Sequence, residues 1–312
     1  MAQDPILPSN SNPLGALPAR FRRQRVLIIG CGDVGLRLAQ RLPAGVRCIA
    51  LTSSSARLPA LRALGILPLQ GNLDDKHSLR RLAGIATRLV HLAPPPNSDP
   101  AQRHDPRTRS LLQVLSLRTT PGSVVYASTS GVYGDCHGEL VSESRHVDPQ
   151  TPRASRRVDA EAGLRFFGRV TGASVHILRI PGIYAPDREG GTPRGRLLKA
   201  LPVLRPEDDV YTNHIHADDL ARACVAALWR GKPQRITNVN DDSQLKMGDY
   251  FDMAADLYGL PRPPRLTLAE ARLALPAMQL SFMSESRRLV NRRLKNELRV
   301  TLRYPTASFG LL

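Results

Sequence analysis

The sequence predicts an α/β fold built on a doubly wound parallel sheet, with a smaller C-terminal lobe. From about residue 25 onward, short β-branched runs alternate with longer helical patterns, which is typical of βαβ units around a parallel sheet. A glycine-rich turn directly follows the first of these runs. The regular alternation ends near residue 183, where loops rich in Pro, Gly and Arg begin.

The predicted strands cover residues 26–29, 46–51, 66–69, 89–92, 123–127, 175–180 and 236–239. Turn and cap signals separate the helices between them. Gly65 ends one helix, Asp74 begins another, and Thr151 with Pro152 begins a third. Asp218 precedes an amphipathic helix and is expected to cap it.

The composition excludes several classes of protein. The chain has 312 residues, 42% of them hydrophobic, so it can bury a large core. Its four cysteines stand far apart without zinc-ligand spacing, so neither a metal site nor a disulfide framework is expected. No apolar run approaches the roughly 18 residues of a membrane span, and the first residues do not resemble a signal peptide. We therefore expect a soluble, cytoplasmic protein.

The formal net charge of +17 has two explanations. A strongly basic protein can bind nucleic acid, which requires its charge to be gathered in one patch. Here the arginines are scattered along the whole chain, without aromatic residues between them, and lysine supplies only a small part of the charge. A compositional bias towards arginine explains this pattern better, so nucleic acid is not expected as a partner.

The glycine-rich turn after the first strand has the spacing GxGxxG. Its residues are Gly30, Cys31, Gly32, Asp33, Val34 and Gly35. Glycines allow a tight turn and a close approach of the backbone to a pyrophosphate, which then meets the start of the next helix. Because the motif lies between a strand and a helix, it predicts a Rossmann-type dinucleotide site. We assign Gly30, Gly32, Asp33, Val34 and Gly35 to cofactor binding.

The end of the second strand bears on the choice of cofactor. It carries Thr52 and Ser53, with Arg57 close behind, and no carboxylate. A carboxylate would accept a hydrogen bond from the ribose of NAD, whereas hydroxyls and a guanidinium suit the 2′-phosphate of NADP. The sequence therefore favours NADP over NAD. The alternative is that the hydroxyl side chains only cap the next helix.

Three further motifs follow later strands. They read STSGVYG at residues 128–134, LRIPGIYAP at 178–186 and NHIHADDL at 213–220. In this order and spacing, together with the glycine turn, they resemble the extended short-chain dehydrogenase/reductase superfamily of nucleotide-sugar epimerases and dehydratases. The resemblance covers nearly all of the chain from Arg25 onward.

The resemblance implies a division of the chain and a set of site residues. Residues 24–182 would form the NAD(P)-binding Rossmann domain, and 183–312 mainly a substrate-binding lobe, with 210–240 returning to the sheet. Residues 1–23 read as a flexible tail. Further cofactor residues carried over from the superfamily are Asn72 and Leu73 beside the adenine, Leu92 and Ala93 behind the cofactor, and Pro181 near the nicotinamide. Asn72 stands where aspartate is commoner.

One departure from the superfamily concerns its catalytic pair, a tyrosine followed four residues later by a lysine. Arg153 stands at the tyrosine position and Arg157 at the lysine position. An arginine does not deprotonate in proteins, so Arg153 cannot act as the acid or base. We assign Thr129 to orient the substrate oxygen, and Arg153 and Arg157 to stabilise an oxyanion.

These residues favour an NAD(P)-dependent oxidoreductase, or an epimerase/dehydratase-like protein, acting on a small anionic substrate. The alternative is a non-catalytic NAD(P)-binding sensor or scaffold, which the missing pair makes a serious rival. The basic loop 187–196, with Arg153 and Arg156, either meets an anionic ligand or is simply solvated. His214 and His216 are read as substrate contacts or structural hydrogen-bonding groups. A homodimer is compatible with the sequence.

Overall fold

The computed structural model describes residues 24–96, 99, 101–276, 280, 281 and 283–312, so the predicted tail over residues 1–23 lies outside the described residues. The strands, in chain order, are β1 Arg25–Ile29, β2 Arg47–Thr52, β3 Leu67–Gln70, β4 Arg88–His91, β5 Ser123–Thr129, β6 Leu140–Val141, β7 Ser174–Ile180, β8 Gly182–Tyr184, β9 Val203–Leu204, β10 Tyr211–Thr212, β11 His214–His216, β12 Arg235–Asn238, β13 Leu245–Lys246, β14 Arg265–Leu266 and β15 Arg288–Leu289.

The α-helices are α1 Asp33–Ala39, α2 Leu58–Ala63, α3 Pro106–Leu115, α4 Pro152–Thr171, α5 Arg194–Leu198, α6 Ala217–Arg230, α7 Met247–Tyr258 and α8 Leu268–Ala274, followed by the short helices Arg292–Asn296 and Ala307–Gly310. Short 3₁₀ helices cover Ser55–Arg57, Lys76–Leu82 and Ser130–Tyr133.

Seven strands form one parallel sheet in the order β12-β7-β5-β4-β1-β2-β3. The chain runs from β1 outward to β3, then crosses back to β4 and continues outward in the other direction. The strand order therefore reverses between β1 and β4, and a crevice for ligands opens at the carboxyl ends of these strands. The predicted doubly wound α/β fold is confirmed, and each predicted sheet strand is present with its ends shifted by at most two residues.

Helices cover both faces of the sheet, which explains why β1 is apolar without alternation. Val26 and Ile28 face a core that includes α1 and α6, whereas Leu27 and Ile29 face a second core that includes α3 and α4. All four side chains are fully buried. A strand buried on both faces is a near-continuous hydrophobic run, as expected for a parallel sheet between helix layers.

The smaller lobe lies beyond the carboxyl ends of the sheet and has its own apolar cluster. Side chains from α5, α7, β9 and the C-terminal segment form this cluster. Two-stranded pairings connect β8 with β11, β10 with β13, β9 with β14, and β6 with β15. Within this part of the chain, α6 and β12 return to the large sheet, whereas β10 and β11 pair within the smaller sheets.

The structure confirms some predicted helix ends and corrects others. The Thr151 hydroxyl accepts a hydrogen bond from the amide of Ala154, and Pro152 is the first residue of α4. Asp74 does not cap the next helical turn, because the Asp75 side chain accepts from the amide of His77 instead. Asp218 does not cap α6 either.

The cap of α6 is His216, which precedes the helix by one position. Its Nδ1 atom accepts a hydrogen bond from the amide of Asp218 at 3.1 Å. Asp218 therefore lies in the first turn, where its carboxylate pairs with Arg37 and Arg41. No helix in the described part of the chain has the length and apolar character needed to cross a membrane.

Candidate active site

The glycine loop between β1 and α1 leaves room for a ligand on one side only. Gly30 has a φ of +85°, and a Cβ there would lie 2.6 Å from the backbone nitrogen of Ala93, so only glycine is accommodated. Gly32 precedes α1, and a Cβ on it would meet no atom within 4 Å. The loop is therefore packed against β4 at Gly30 and open at Gly32, as a pyrophosphate cradle requires.

The residues that follow β4 pack directly against this loop. The amides of Leu92 and Ala93 both donate to the carbonyl oxygen of Ile29, at 2.8 and 3.1 Å. Ala93 is buried and Leu92 is half-buried against the core. Both residues thus lie at the reversal point of the strand order, next to the glycine loop.

Asp33 and Val34 begin α1, and ion pairs connect Asp33 to the loop after β8. Asp33 Oδ1 lies 3.0 Å from Arg37 Nε, and Arg37 also contacts Asp187 at 2.6 Å and Asp218 at 2.7 Å. The Arg37 guanidinium holds the pKa of Asp187 below its usual value. These contacts hold the loop after β8 beside the glycine loop.

Arg57 lies on the other side of the glycine loop. Its Nη2 atom donates to the carbonyl oxygen of Cys31 at 2.7 Å. Thr52 is buried and its hydroxyl accepts from the amide of Ser54, whereas Ser53 is exposed. The Ser54 side chain makes no capping hydrogen bond to the next turn, so a capping role does not account for that serine.

The segment after β3 lies near these residues and is tied to α3. The Asn72 side chain accepts from the amide of Asp74 at 3.1 Å, and Leu73 is half-buried. Arg107 on α3 donates to both carboxylate oxygens of Asp74, at 2.7 and 2.6 Å, and to the carbonyl oxygen of Pro94. These hydrogen bonds lower the pKa of Asp74 and connect the ends of β3 and β4.

Thr129 ends β5 and pairs directly with Ile180 at the end of β7. It therefore lies beside Pro181, the next residue after β7. The Thr129 hydroxyl accepts from the amide of Gly131 at 3.2 Å, which leaves its own hydrogen free to be donated. The structure brings Thr129 and Pro181 together at the edge of the sheet where the glycine loop also lies.

Arg157 and Arg153 occupy the same face of α4 but have different surroundings. Arg157 Nη1 donates to the carbonyl oxygen of Ala127 at 2.7 Å and to the Tyr126 hydroxyl at 3.0 Å. Arg157 is half-buried, whereas Arg153 is exposed. Partial desolvation lowers the pKa of Arg153, and the negative charge of Glu285 acts in the opposite direction.

Neither reading of Arg156 from the sequence, a contact with an anionic ligand or a solvated side chain, fits the structure. The side chain is only 2% exposed, and its Nη1 donates to the carbonyl oxygens of Gln102 and Asp99 at 2.8 and 3.3 Å. Buried backbone acceptors need such donors, so Arg156 fixes the segment that leads into α3. It does not contribute charge to the cleft.

A buried polar network beneath Thr129 was not foreseen from the sequence. Glu161 on α4 accepts from Ser128 at 2.5 Å and from Arg179 at 2.7 and 3.1 Å. The Arg179 guanidinium lies over the ring of Tyr133, 4.7 Å from its centroid. The Tyr133 hydroxyl donates to Asn238 at 2.7 Å. Tyr133 is thus a structural residue at this edge.

His214 and His216, the two histidines considered from the sequence, are buried in the fold, and so is His91 at the end of β4. His214 stacks on Tyr250 and His216 on Tyr304. Burial lowers the pKa of His214 to about 4 and that of His91 to about 3, so both side chains are neutral near pH 7. Among the described residues, no group of three His, Cys, Asp or Glu side chains forms a metal site.

Glu285 is the cleft residue that sequence reasoning missed. A Cβ placed on Gly131 would be 3.6 Å from Thr129 Oγ1 and 4.0 Å from Glu285 Oε2. Glu285 also contacts Arg287, whose Nη1 donates to its Oε2 at 2.8 Å. Its separation from residue 129 in the chain left no local pattern that joins the two residues. The one feature of the sequence that could have pointed to Glu285 is its negative charge within a basic C-terminal stretch.

This arrangement is that of a Rossmann-type dinucleotide-binding fold with an added lobe, the fold that the sequence motifs indicated. The model of the NAD dependent epimerase/dehydratase family matches residues 26–240, and the chain belongs to that family. No curated protein matches the chain.

Three solved structures have the same fold. Each alignment includes 92% of this chain and 96% of the solved chain. A functionally unknown conserved protein from Silicibacter pomeroyi DSS is 31% identical, with a TM-score of 0.76. UDP-glucose 4-epimerase from Thermotoga maritima, solved with UDP-glucose, is 17% identical, with a TM-score of 0.76. UDP-glucuronic acid 4-epimerase from Bacillus cereus, in complex with NAD, is 19% identical, with a TM-score of 0.71. The two epimerases show the fold of this chain and no more.

Proposed function

We propose that the chain is an NADP-preferring oxidoreductase or epimerase/dehydratase-like enzyme that acts on a small anionic substrate. The observation that carries the proposal is the glycine loop, which is closed at Gly30 and open at Gly32 beside the reversal of the strand order. The residues present therefore fit a dinucleotide. The bound cofactor would supply a hydride acceptor and donor.

The preference for NADP rests on Arg57. Its guanidinium lies beside the glycine loop, and the neighbouring end of β2 carries Thr52 and the exposed Ser53 without a carboxylate. A guanidinium and hydroxyl groups attract a 2′-phosphate. Asn72 and Leu73, at the end of β3, complete the adenosine side of the site.

In the proposed reaction, Thr129 donates a hydrogen bond to the substrate oxygen and Pro181 borders the nicotinamide. Arg157 is held by Ala127 and Tyr126 at the end of β5, so its positive charge is fixed there. Arg153 supplies a second charge at the same face of α4. Together they favour an anionic substrate and stabilise negative charge that develops on its oxygen.

Calorimetry with NADP and NAD tests the proposal first, followed by a search for nicotinamide absorbance changes. UDP-glucose, UDP-glucuronic acid and small hydroxy acids are suitable first probes, since two structures of the same fold carry or are named for the UDP sugars. We expect tighter binding of NADP and turnover of an acidic probe. If neither dinucleotide binds at millimolar concentration, the proposal fails.

A non-catalytic sensor or scaffold is the second candidate. The observation that favours it is Arg157, whose guanidinium is anchored to a backbone carbonyl and to Tyr126, so a structural role would suffice. Tight cofactor binding without turnover supports this candidate, most strongly if the double variant Arg153→Tyr, Arg157→Lys gains activity.

We also expect a homodimer. Phe166 and Val170 are 62% and 68% exposed, one turn apart on α4, and apolar side chains at this spacing form a surface suited to a second copy. Sedimentation of the wild type and of Phe166→Glu would show whether this surface joins two copies.

A further inference from the structure

Glu285 brings a carboxylate from the C-terminal part of the chain to the end of β5. Its side chain is 12% exposed, and the side chain of its partner Arg287 is 11% exposed. Arg287 Nη1 donates both to Glu285 Oε2 at 2.8 Å and to the carbonyl oxygen of Gly134 at 2.6 Å. The guanidinium therefore fixes the carboxylate against the turn that follows Thr129.

The backbone around Glu285 is equally well held. The amide of Ser286 donates to Asp135 Oδ1 at 2.7 Å, and the Ser286 carbonyl accepts from the amides of Cys136 and Gly138. The turn is itself constrained, because a Cβ on Gly134 would lie 2.2 Å from the carbonyl oxygen of Asp148. Preorganisation of this kind is what a group needs if it is to act at a fixed point.

Glu285 lies next to the residues at the superfamily's substrate-orienting and tyrosine positions. Its Oε2 and Thr129 Oγ1 are both within 4.0 Å of one point beside Gly131, and its charge influences Arg153, which replaces the tyrosine. The other charged groups in contact with its segment are Arg287 and Asp135, which accepts from the amide of Ser286 and pairs with His137. Glu285 is thus a carboxylate beside both Thr129 and Arg153.

The other titratable side chains described above are buried or engaged elsewhere. Tyr133 donates its hydroxyl hydrogen to Asn238, Tyr126 is fully buried, and His91 is buried and bonded to Thr108. The arginines keep their protons. A carboxylate, by contrast, is an effective general acid or base when it is positioned at the reacting oxygen.

We propose that Glu285 is the proton acceptor and donor of this site, in place of the tyrosine that the chain lacks. The inference rests on the proposed function. When an alcohol is oxidised, its O–H proton would pass to the Glu285 carboxylate, a bound oxidised nicotinamide would accept the C–H hydride, and a carbonyl would remain. In the reverse direction the protonated carboxyl returns the proton to the carbonyl oxygen.

The first test needs no substrate. The oxidised nicotinamide is positively charged and the reduced ring is neutral, so a nearby carboxylate favours the oxidised form. We expect Glu285→Gln to shift the ratio of NADP⁺ to NADPH affinities, measured by calorimetry, by at least about threefold towards NADPH. Glu139→Gln is the matched control, because Glu139 also pairs with an arginine, on the surface. It should leave the ratio unchanged.

Glu285→Asp separates a charge effect from a packing effect. It keeps the negative charge, so the affinity ratio should remain within about twofold of the wild type, whereas a packing role would alter both variants alike. It also serves as the second variant if Glu285→Gln does not fold, since its shorter side chain should still slow turnover.

The second test uses the substrate that the probe panel identifies. Glu285→Gln should lower kcat for oxidation by about 100-fold or more with the cofactor Kd of NADP⁺ changed only as the first test predicts. Glu285→Asp, which keeps a carboxylate, should retain more of the rate than Glu285→Gln, which has none. The double variant Arg153→Tyr, Arg157→Lys, added to Glu285→Gln, should restore part of the rate.

The outcomes distinguish this inference from the function on which it rests. If the wild type binds neither cofactor, the proposed function fails and the inference fails with it. If the wild type binds both cofactors but Glu285→Gln leaves their affinity ratio unchanged, the inference alone is overturned. Turnover by Glu285→Gln at the wild-type rate overturns it as well.

Discussion

The guanidinium of Arg57 donates a hydrogen bond of 2.7 Å to the carbonyl oxygen of Cys31, which lies inside the glycine loop. One side chain thus connects the 3₁₀ turn after β2 to the loop that would hold the pyrophosphate. The contact uses Nη2, and the rest of the guanidinium can face a 2′-phosphate on the adenosine ribose. Arg57 is therefore the residue that should separate NADP from NAD.

We predict that Arg57→Gln lowers the affinity for NADP by about tenfold, since one charge-assisted hydrogen bond is removed. The affinity for NAD should change by less than about twofold, because NAD has no phosphate at that position. Calorimetry with both dinucleotides measures the two values. Arg62→Gln, at an exposed position of α2, is the control. An equal loss for both cofactors would show that Arg57 only supports the loop.

The glycine loop offers a matched pair of variants. Gly30→Ala places a methyl group 2.6 Å from the Ala93 nitrogen at a φ of +85°, and should lower the free energy of unfolding by about 3 kcal/mol. The methyl group added by Gly32→Ala has no atom within 4 Å, so the free energy of unfolding should stay within about 0.5 kcal/mol of the wild type. Urea denaturation compares the two.

Gly32→Ala, the variant that keeps its stability, should nevertheless lose affinity for the cofactor. The methyl group of Gly32→Ala points into the open side of the loop and should weaken NADP binding at least about tenfold by excluding the pyrophosphate. If Gly32→Ala binds NADP as tightly as the wild type, the cofactor does not approach the loop at Gly32.

The fold and the cofactor side of the site could be predicted because their signals are local. The strands are apolar runs bounded by turns, and GxGxxG places a special backbone conformation next to them. Thr129 and Pro181 could also be placed together, since both follow strands that end at the same edge. Short-range patterns sufficed for these residues because a parallel sheet brings its strand ends together without further information.

The partners of several polar side chains around the cleft could not be predicted, because they depend on contacts between distant segments. Arg156 looked like a cleft residue by its charge, yet its buried side chain donates to the carbonyl oxygens of Asp99 and Gln102. Asp218 looked like a cap, yet Arg37 and Arg41 draw its carboxylate away. Glu285 had no local motif, and tertiary pairing of its segment with the turn after β5 brings it to the cleft.

The ion pair of Glu161 with Arg179 should be important for stability. The two side chains are 6% and 4% exposed, and the same carboxylate accepts from Ser128. Glu161→Gln leaves the Arg179 charge buried without a counter-charge, which should lower the free energy of unfolding by about 3–5 kcal/mol. Glu139→Gln removes a solvent-exposed pair with Arg145 and should leave the urea midpoint unchanged. A loss below about 1 kcal/mol for Glu161→Gln would contradict this account.

Stability should fall at acid pH through buried histidines, of which His91 is the most strongly shifted. Its Nε2 lies 3.0 Å from Thr108 Oγ1, and that hydroxyl donates to Asp105 at 2.6 Å. His91 Nε2 must therefore donate, which leaves Nδ1 unprotonated and, within the described residues, without a partner. Burial, with smaller effects of Arg157 and Arg107, lowers the pKa of His91 to about 3.

The sign of the effect follows from linkage. Below about pH 6.5 the unfolded chain protonates this histidine, whereas the folded chain does so only near pH 3. The free energy of unfolding therefore falls as the pH is lowered between these values, by about 2 kcal/mol for one histidine between pH 6.5 and 4.5. His176, with a pKa lowered to about 4, and His214 should add similar losses.

His91→Gln should remove the part of the acid destabilisation that comes from His91, because a glutamine amide can donate to Thr108 but does not titrate. We expect the fall in unfolding free energy between pH 6.5 and 4.5 to be smaller in this variant by about 2 kcal/mol, measured by urea denaturation at each pH. His137→Gln is the control, since it removes a histidine whose side chain is 86% exposed. An equal acid loss in His91→Gln and the wild type would mean that the folded protein already accepts a proton on His91, which its contact with Thr108 and its burial do not allow.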